Sequence, residues 1–491
     1  MLKKILLILS LVSVSLMGVQ SSRVNALSGH DSSYSFGNLS PAPLSRASIY
    51  DPSDVILFPH LANKYSDFIN VYYAGGNNFN GFGTFNIMSG LTLGVADYNG
   101  YQQLKGVEGI TDTNGNPLSL SDHTYSIFAA YGLGNMNIGL SFDYWASNAK
   151  VEHLEVDTST NQTNTLSRTI NTHIATVKAS FGMDLGANMG FDSLFKIDLG
   201  GYANEAYDST IEDPKTRLTN ASDAYTSITV GGRFFMNLST AVKMTSWGFL
   251  DYNSEGFSEV SYNTEHKRVD TVKHTDSLML INLGTAFDIE TIKNKLIVTP
   301  RFGILILSYN ETSEDLTPPT TGSKEENSID RTLLPYLGFS VEYSIKKWLT
   351  LYTGYSKVVY NENIKENQLI FNNEVKQSDI TDKSTQGIVN SNFSIGVSLQ
   401  NDVFKFIATL NKELLTSGPN FISGVENTMF LNATLQYKFG APENRIAQAP
   451  VYSTPKTKKI VETERIAEPE VEPEAKPETK IANTEEETTQ E

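Results

Sequence analysis

The feature that most constrains this chain is an alternation of apolar and polar residues with a period of two. In "NTMFLNATLQYKF", Met429, Leu431, Ala433, Leu435, Tyr437 and Phe439 share one phase, and Phe430, Asn432, Thr434, Gln436 and Lys438 share the other. Successive side chains on a strand point to opposite faces, so this segment is a strand between two different surroundings. The same grammar recurs upstream as strand, short turn, strand and polar stretch. Hairpins turn at Gly132 to Asn135, Asn237 to Ser239, Glu290 to Lys295, Ile345 to Lys347, and Asn401 to Asp402. Between them lie polar stretches at about 100–122, 148–170, 208–221, 255–272, 311–329 and 362–388, which read as solvated loops.

Short turns alternating with long loops give the sheet two unlike ends. Strands of roughly 10–14 residues are long for a soluble sandwich and match strands that cross a bilayer at a tilt. In hydrocarbon every backbone N–H and C=O needs an internal partner, so such a sheet must close. We expect an all-β fold, a transmembrane antiparallel β-barrel with short periplasmic turns and long extracellular loops. The count is about sixteen strands, starting near Asp67, Gly81 and Leu91 and ending with Thr428 to Phe439. It falls to fourteen if the first two belong to an inserted segment. A soluble alternative such as a propeller would show short strands and no lipid-facing stripe. Aromatic residues end the strands that lead into long loops, at Tyr98, Tyr144 with Trp145, Tyr207, Tyr252, Tyr309 and Tyr360. They read as a girdle at the headgroup level.

With the apolar phase on lipid, the polar phase faces the lumen. It carries Asp143, Lys178, Lys196, Asp198, Arg233, Lys243, Asp288, Arg301 and Glu342, and also Lys405 and Lys438. An Arg or Lys on the lipid face at mid-depth would cost about 2–4 kcal/mol, which puts these inside. Basic residues gather at Lys178, Lys196, Arg233 and Lys243, although the chain has a net charge of -17. Two readings stand: a stripe that attracts anions, or a packed polar interior in which these cations pair with Asp143, Asp198 and Asp288.

The first residues, "MLKKILLILSLVSVSLMGVQSSRVNA", have the positive start, short apolar run and small-residue end of a secretory signal, so 1–26 is expected to be removed. There is no cysteine, which excludes disulfides, thiolate metal sites and a thiol nucleophile. The acidic balance argues against nucleic acid as a partner. Residues 27–66 precede the first strand and suit a plug in the barrel mouth or a seal under its rim. Within them Asp51 or Ser53 caps a short helix or turn, with Pro52 in its first turn.

This stretch resembles the FadL-type outer-membrane transport proteins and their PorV-like relatives, in which a segment of the form "DPSAVFWNPA.LA" precedes the first strand. Here it reads "YDPSDVILFPHLANKY", with Asp51, Pro52, Ser53, Val55, Pro59, Leu61 and Ala62 matching in kind. The Asn-Pro pair of the pattern is Phe58-Pro59 in this chain. The resemblance covers about fifteen residues and implies an N-terminal hatch and passage of hydrophobic molecules.

The barrel proper is then 67–439, and 440–491 is a Pro- and Glu-rich tail expected to be disordered in the periplasm. There it could reach peptidoglycan or a periplasmic protein. The aromatic end of the closing strand resembles the terminal signal read by the barrel assembly machinery. The histidines at 30, 60, 123, 153, 173, 266 and 274 are scattered; His123, His173 and His274 sit where a long loop returns to a strand and read as solvated rim histidines, and no catalytic, cofactor or metal set stands out, so no enzyme is expected. The sequence therefore points to a bacterial outer-membrane barrel surrounded by lipid and passing a small solute, hydrophobic molecules included. The alternative is a structural or adhesive barrel with a blocked lumen, whose outer loops bind a partner and whose tail holds the cell wall.

Overall fold

The computed structural model describes residues 27, 48–73, 79–99, 123–157, 162–208, 218–263, 268–315, 323–372, 375–410 and 430–439. Both the signal segment and the tail lie outside them. Two short 3-10 helices, Pro52–Ile56 and Pro59–Asn63, precede sixteen strands. These are β1 (Phe68–Tyr73), β2 (Phe79–Met88), β3 (Leu91–Asn99), β4 (His123–Leu133), β5 (Met136–Asp157), β6 (Gln162–Asp184), β7 (Met189–Asp208) and β8 (Leu218–Asn237). They continue with β9 (Val242–Asn263), β10 (Arg268–Ile292), β11 (Leu296–Asp315), β12 (Ser323–Lys346), β13 (Leu349–Asn372), β14 (Val375–Gln400), β15 (Phe404–Leu410) and β16 (Phe430–Lys438).

Each strand pairs with its sequence neighbours, and β16 returns to pair with β1, so the sheet is a closed barrel. Phe68 faces Lys438 and Tyr73 faces Ala433 across that antiparallel seam. The strand "NTMFLNATLQYKF" is therefore what closes the barrel. The two weak early strands are part of the wall, which removes the fourteen-strand alternative. Gly90 and Gly134 hold positive φ angles of 81° and 68° in the first two tight turns, where a side chain would be strained.

The alternation holds along the wall. On β4 and β5, Ile127 is 62% and Leu140 58% exposed, while Ser126, Ser141 and Asp143 are buried. Large apolar side chains thus cover the outside and polar ones the inside, the arrangement of a barrel solvated by lipid. At one place the ladder slips on both sides of the same strand. The register of β12 jumps between Leu333 and Tyr336 against both β11 and β13. Pro335 lies in that gap and has no N–H to give the ladder.

Two expectations need correction. Strands β5 to β14 run 20 to 26 residues, well past the lengths read from the alternation. Most of the stretches taken as solvated loops at 148–170, 255–272, 311–329 and 362–388, and the ends of 208–221, are continuations of these strands. Beyond the bilayer no face is apolar, so the alternation fades, yet the backbone ladder persists. The stretch 100–122 lies outside the described residues.

The girdle also divides. Tyr144 and Tyr252 are each 45% exposed on the outer face, but Tyr98 and Trp145 are buried on the inner one. Tyr309 lies on the inner phase too, opposite Leu278. Period two alone sends Tyr144 and Trp145 to opposite faces. The side chains of Tyr207 and Tyr360 are outside those described.

Leu140 sits near mid-depth of the lipid face. Leu140→Arg should lower the unfolding free energy of the bilayer-embedded barrel by about 2–4 kcal/mol, read from urea titration in vesicles.

Candidate functional site: a plug seated in the lumen

Asp51 starts the site. Its carboxylate accepts from Ser53 N at 3.0 Å and Ser53 Oγ at 2.8 Å, and its own N–H donates to Asp54 Oδ2 at 3.3 Å. This is a reciprocal capping arrangement, with Pro52 at the first helical position, where a missing N–H removes nothing. Pro59 does the same for the second short helix, with Phe58 at its cap. The motif Asp51, Pro52, Ser53, Phe58 and Pro59 therefore folds two tight turns whose side chains are almost wholly buried.

The turns lie against the inner wall near its short-turn end. Lys178 on β6 donates to Ile56 O at 2.9 Å and pairs with Asp143 on β5. Tyr98 on β3 donates to the same Asp143 carboxylate. Arg233 on β8 binds Asp54 Oδ2 through Nη1 and Asp192 Oδ2 on β7 through Nε, both at 2.7 Å. Its guanidinium also lies 4.0 Å from the Tyr50 ring centroid and 4.6 Å from that of Phe58. Lys243 on β9 lies 4.0 Å from the Tyr50 ring centroid. His60 N donates to Ser180 Oγ at 2.9 Å, and His60 Nε2 is 2.9 Å from Asp192 Oδ1. A carboxylate only accepts, so Nε2 carries the proton.

Packing completes the seat. Val55, Phe58, Leu61 and Ala62 join Phe82, Phe128, Leu194, Trp247 and Phe249 of the wall in one apolar cluster. Two wall glycines make the room. A Cβ at Gly139 would sit 2.0 Å from His60 N, and one at Gly182 would sit 2.4 Å from His60 Nε2. Further along the wall, Arg301 on β11 donates to Ser48 Oγ at 2.8 Å, Leu27 O at 3.2 Å and Ser340 Oγ at 2.9 Å.

The basic set read from the sequence is thus distributed over definite tasks. Lys178, Arg233, Lys243 and Arg301 all contact the N-terminal segment. Lys196 instead pairs with Asp198 on its own strand at 2.7 Å, and Asp198 also accepts from Thr176 at 2.6 Å. Asp288 accepts from Thr299 at 2.8 Å and lies opposite Lys243 across the β9–β10 ladder. Glu342 lies half-buried on β12. The sequence reading missed Asp54, Asp192 and His60. Asp54 was visible as the second carboxylate of "DPSD", but its partner is 179 residues away. His60 is 2% exposed, and His123 at the rim lies 3.1 Å from Asp97.

No family model matches the sequence, and no curated protein does. Among solved structures, the Pseudomonas putida toluene transporter TodX is 10% identical, with 86% of this chain and 98% of that chain covered and a TM-score of 0.32. The siderophore receptor PiuA of Acinetobacter baumannii is 9% identical over 76% and 82% of the two chains, with a TM-score of 0.29. The Escherichia coli outer membrane protease OmpT is 12% identical over 62% and 97%, with a TM-score of 0.25.

Gly139→Ala tests the seat. The new methyl meets plug backbone, at His60 N and Pro59 C, rather than a flexible side-chain tip. Amide hydrogen exchange over 52–63 should quicken by at least about tenfold, with exchange in β5 to β14 unchanged.

Proposed function

We propose that this chain is a bacterial outer-membrane barrel that passes small molecules, hydrophobic ones in particular, through a lumen closed by its own N-terminal segment. The observation that carries this reading is an apolar, closely covered patch on the inner wall, further from the short turns than Asp143 and Arg301. Trp145, Ile174, Leu278, Leu280, Leu305 and Leu307 lie on the inner phase of β5, β6, β10 and β11, each no more than 3% exposed. Leu280 faces Leu307 directly across the ladder. Polar lumens are the rule in such barrels, and a polar inner phase needs no leucines there. An apolar inner patch beyond a charged seat fits a lumen that is shut in this state and takes up a hydrophobic solute when what covers the patch moves.

In this reading, Arg233, Lys178 and Lys243 hold the plug rather than select ions. Passage requires the plug to shift or the solute to pass around it. The membrane supplies the lipid partner of the outer face, and the assembly machinery of outer-membrane barrels is the expected partner in insertion.

A second reading is favoured by the ten long strands β5 to β14, which continue well beyond the 9–11 residues a bilayer needs. They raise a tall palisade outside the membrane, suited to a structural or adhesive barrel with a permanently blocked lumen.

Planar-bilayer conductance separates the readings. The protein from Leu27 onward should be silent, and deletion of Asp31 to Tyr65 should open steady channels. Channels in the intact protein would mean a water-filled porin. Silence in both would favour the structural reading. In vesicles, Leu280→Asp with Leu307→Asp should slow entry of an apolar dye several-fold while leaving the conductance of the deleted form in place.

A further inference from the structure

The plug is gripped from one side of the barrel. Lys178, Ser180, Asp192 and Arg233, which hold its two short helices, lie on β6, β7 and β8. In the closed order of sixteen strands, β8 stands eight places from β16 in either direction. The wall across the lumen from the strand of Arg233 is therefore the closing seam of β15, β16 and β1.

The inner face of that seam is rich in amides. Asn432, Thr434 and Gln436 take successive inward positions on β16, each at most 6% exposed, while Leu435 between them lies on the lipid face. Asn70 on β1, equally buried, faces Gln436 across the ladder, and Thr409 on β15 faces Asn432. Asn70 Oδ1, Asn432 Oδ1 and Gln436 Nε2 have no hydrogen-bond partner in the chain. Asn70 and Gln436 set an acceptor beside a donor, yet the two do not meet. A buried polar atom left unmade is costly, so such atoms mark places where a bound molecule completes the bonds. Both a donor and acceptors are asked for, and the three amides carry no charge. The molecule that answers them is water or a neutral hydroxyl. Charge enters at the mouth, where Lys405 faces Gln436 and Lys438 follows it by two residues. Gln436 also lines a recess of about 80 Å³ at the short-turn end, together with Ser66, Phe68 and Asn401. A water needs roughly 10–15 Å³ of such space, so the recess admits several.

We propose that the inner face of the seam is a hydrated lane, entered from the short-turn mouth, that binds water and the hydroxyl groups of small neutral solutes. Gln436 and Asn70 form its first station. Asn432 forms the second, four residues or about 13 Å further along β16. The lane runs opposite the plug's seat and apart from the apolar patch on β5, β6, β10 and β11. It requires no hydrophobic solute, so it stands or falls independently of the transport reading.

The chain has no cysteine, so single introduced thiols report the lane directly. The full chain, carrying Asn432→Cys, Gln436→Cys or Leu280→Cys, is folded in neutral detergent and its reaction with 2-hydroxyethyl methanethiosulfonate is timed. A thiol reacts as its thiolate, which apolar burial suppresses. Asn432→Cys should react within about tenfold of Gln436→Cys and at least about tenfold faster than Leu280→Cys. Relative to Gln436→Cys, it should favour the neutral reagent over the sulfonatoethyl and trimethylammonioethyl analogues by about tenfold, since an ion must shed water to enter. Adding Asn70→Leu and Gln436→Leu should slow Asn432→Cys by about tenfold, and adding Asn70→Ser and Gln436→Ser should not, with every variant folded by heat-dependent gel mobility. Asn432→Cys as slow as Leu280→Cys would overturn the lane. Equal reaction with the charged reagents would overturn its neutral character, and an unchanged rate beside the leucines would overturn the part given to the amides.

Discussion

Everything in this molecule depends on the pairing of β16 with β1. A strand in hydrocarbon has no water to satisfy its backbone, so an open edge is ruled out at membrane depth. The six-residue seam from Phe68–Lys438 to Tyr73–Ala433 removes both edges at once. Closure then creates two environments from one sheet. The alternation of side chains sorts itself between them, with Ile127 and Leu140 outside, and Ser126 and Asp143 inside.

A closed barrel with a polar inner wall has a second problem, which is what fills it. Part of the answer is the chain's own beginning. Two proline-started turns present backbone N–H and C=O groups, a carboxylate and a histidine to a wall that offers matching partners. Arg233 is central here. It lies 2% exposed between carboxylates of the plug and of β7. A buried guanidinium is tolerable only with such partners, and removing one of a buried pair typically costs about 3–5 kcal/mol. The wall and the plug therefore stabilise each other. The charged residues inside this barrel are better understood as a socket than as a field.

The sequence disclosed the wall well and the socket poorly, for physical reasons. Period-two patterning is local, so the strands around Gly134, Asn294 and Asn401 and the closing strand at Thr428 to Phe439 were legible. The outer halves of β5 to β14 were not, because beyond the membrane a strand has no apolar face to mark it. Tyr98 and Trp145 were legible as strand-end aromatics, but which face each took depends on a phase that shifts by one residue. Inside the lumen, Lys178, Arg233 and Lys243 could be placed on the inner face from alternation alone. Their partners could not, since Asp54 and Arg233 are joined only by three-dimensional proximity. Gly139 and Gly182 gave no signal at all. A glycine in a strand is read as weakness until the backbone that approaches it is known.

That approach decides how the plug is held. Its anchors fall into two kinds. Lys178 to Ile56 O and Ser180 to His60 N grip backbone, and would hold almost any sequence folded in the same two turns. Arg233 to Asp54 and Asp192 to His60 grip particular side chains. The first kind fixes shape and the second fixes identity. The barrel ladder itself closes through backbone pairing alone. The wall is held by hundreds of residues of continuous pairing, and the plug by a handful of contacts. One chain thus builds a cylinder from backbone pairing and seats its own N-terminal segment inside it through both backbone and side-chain contacts.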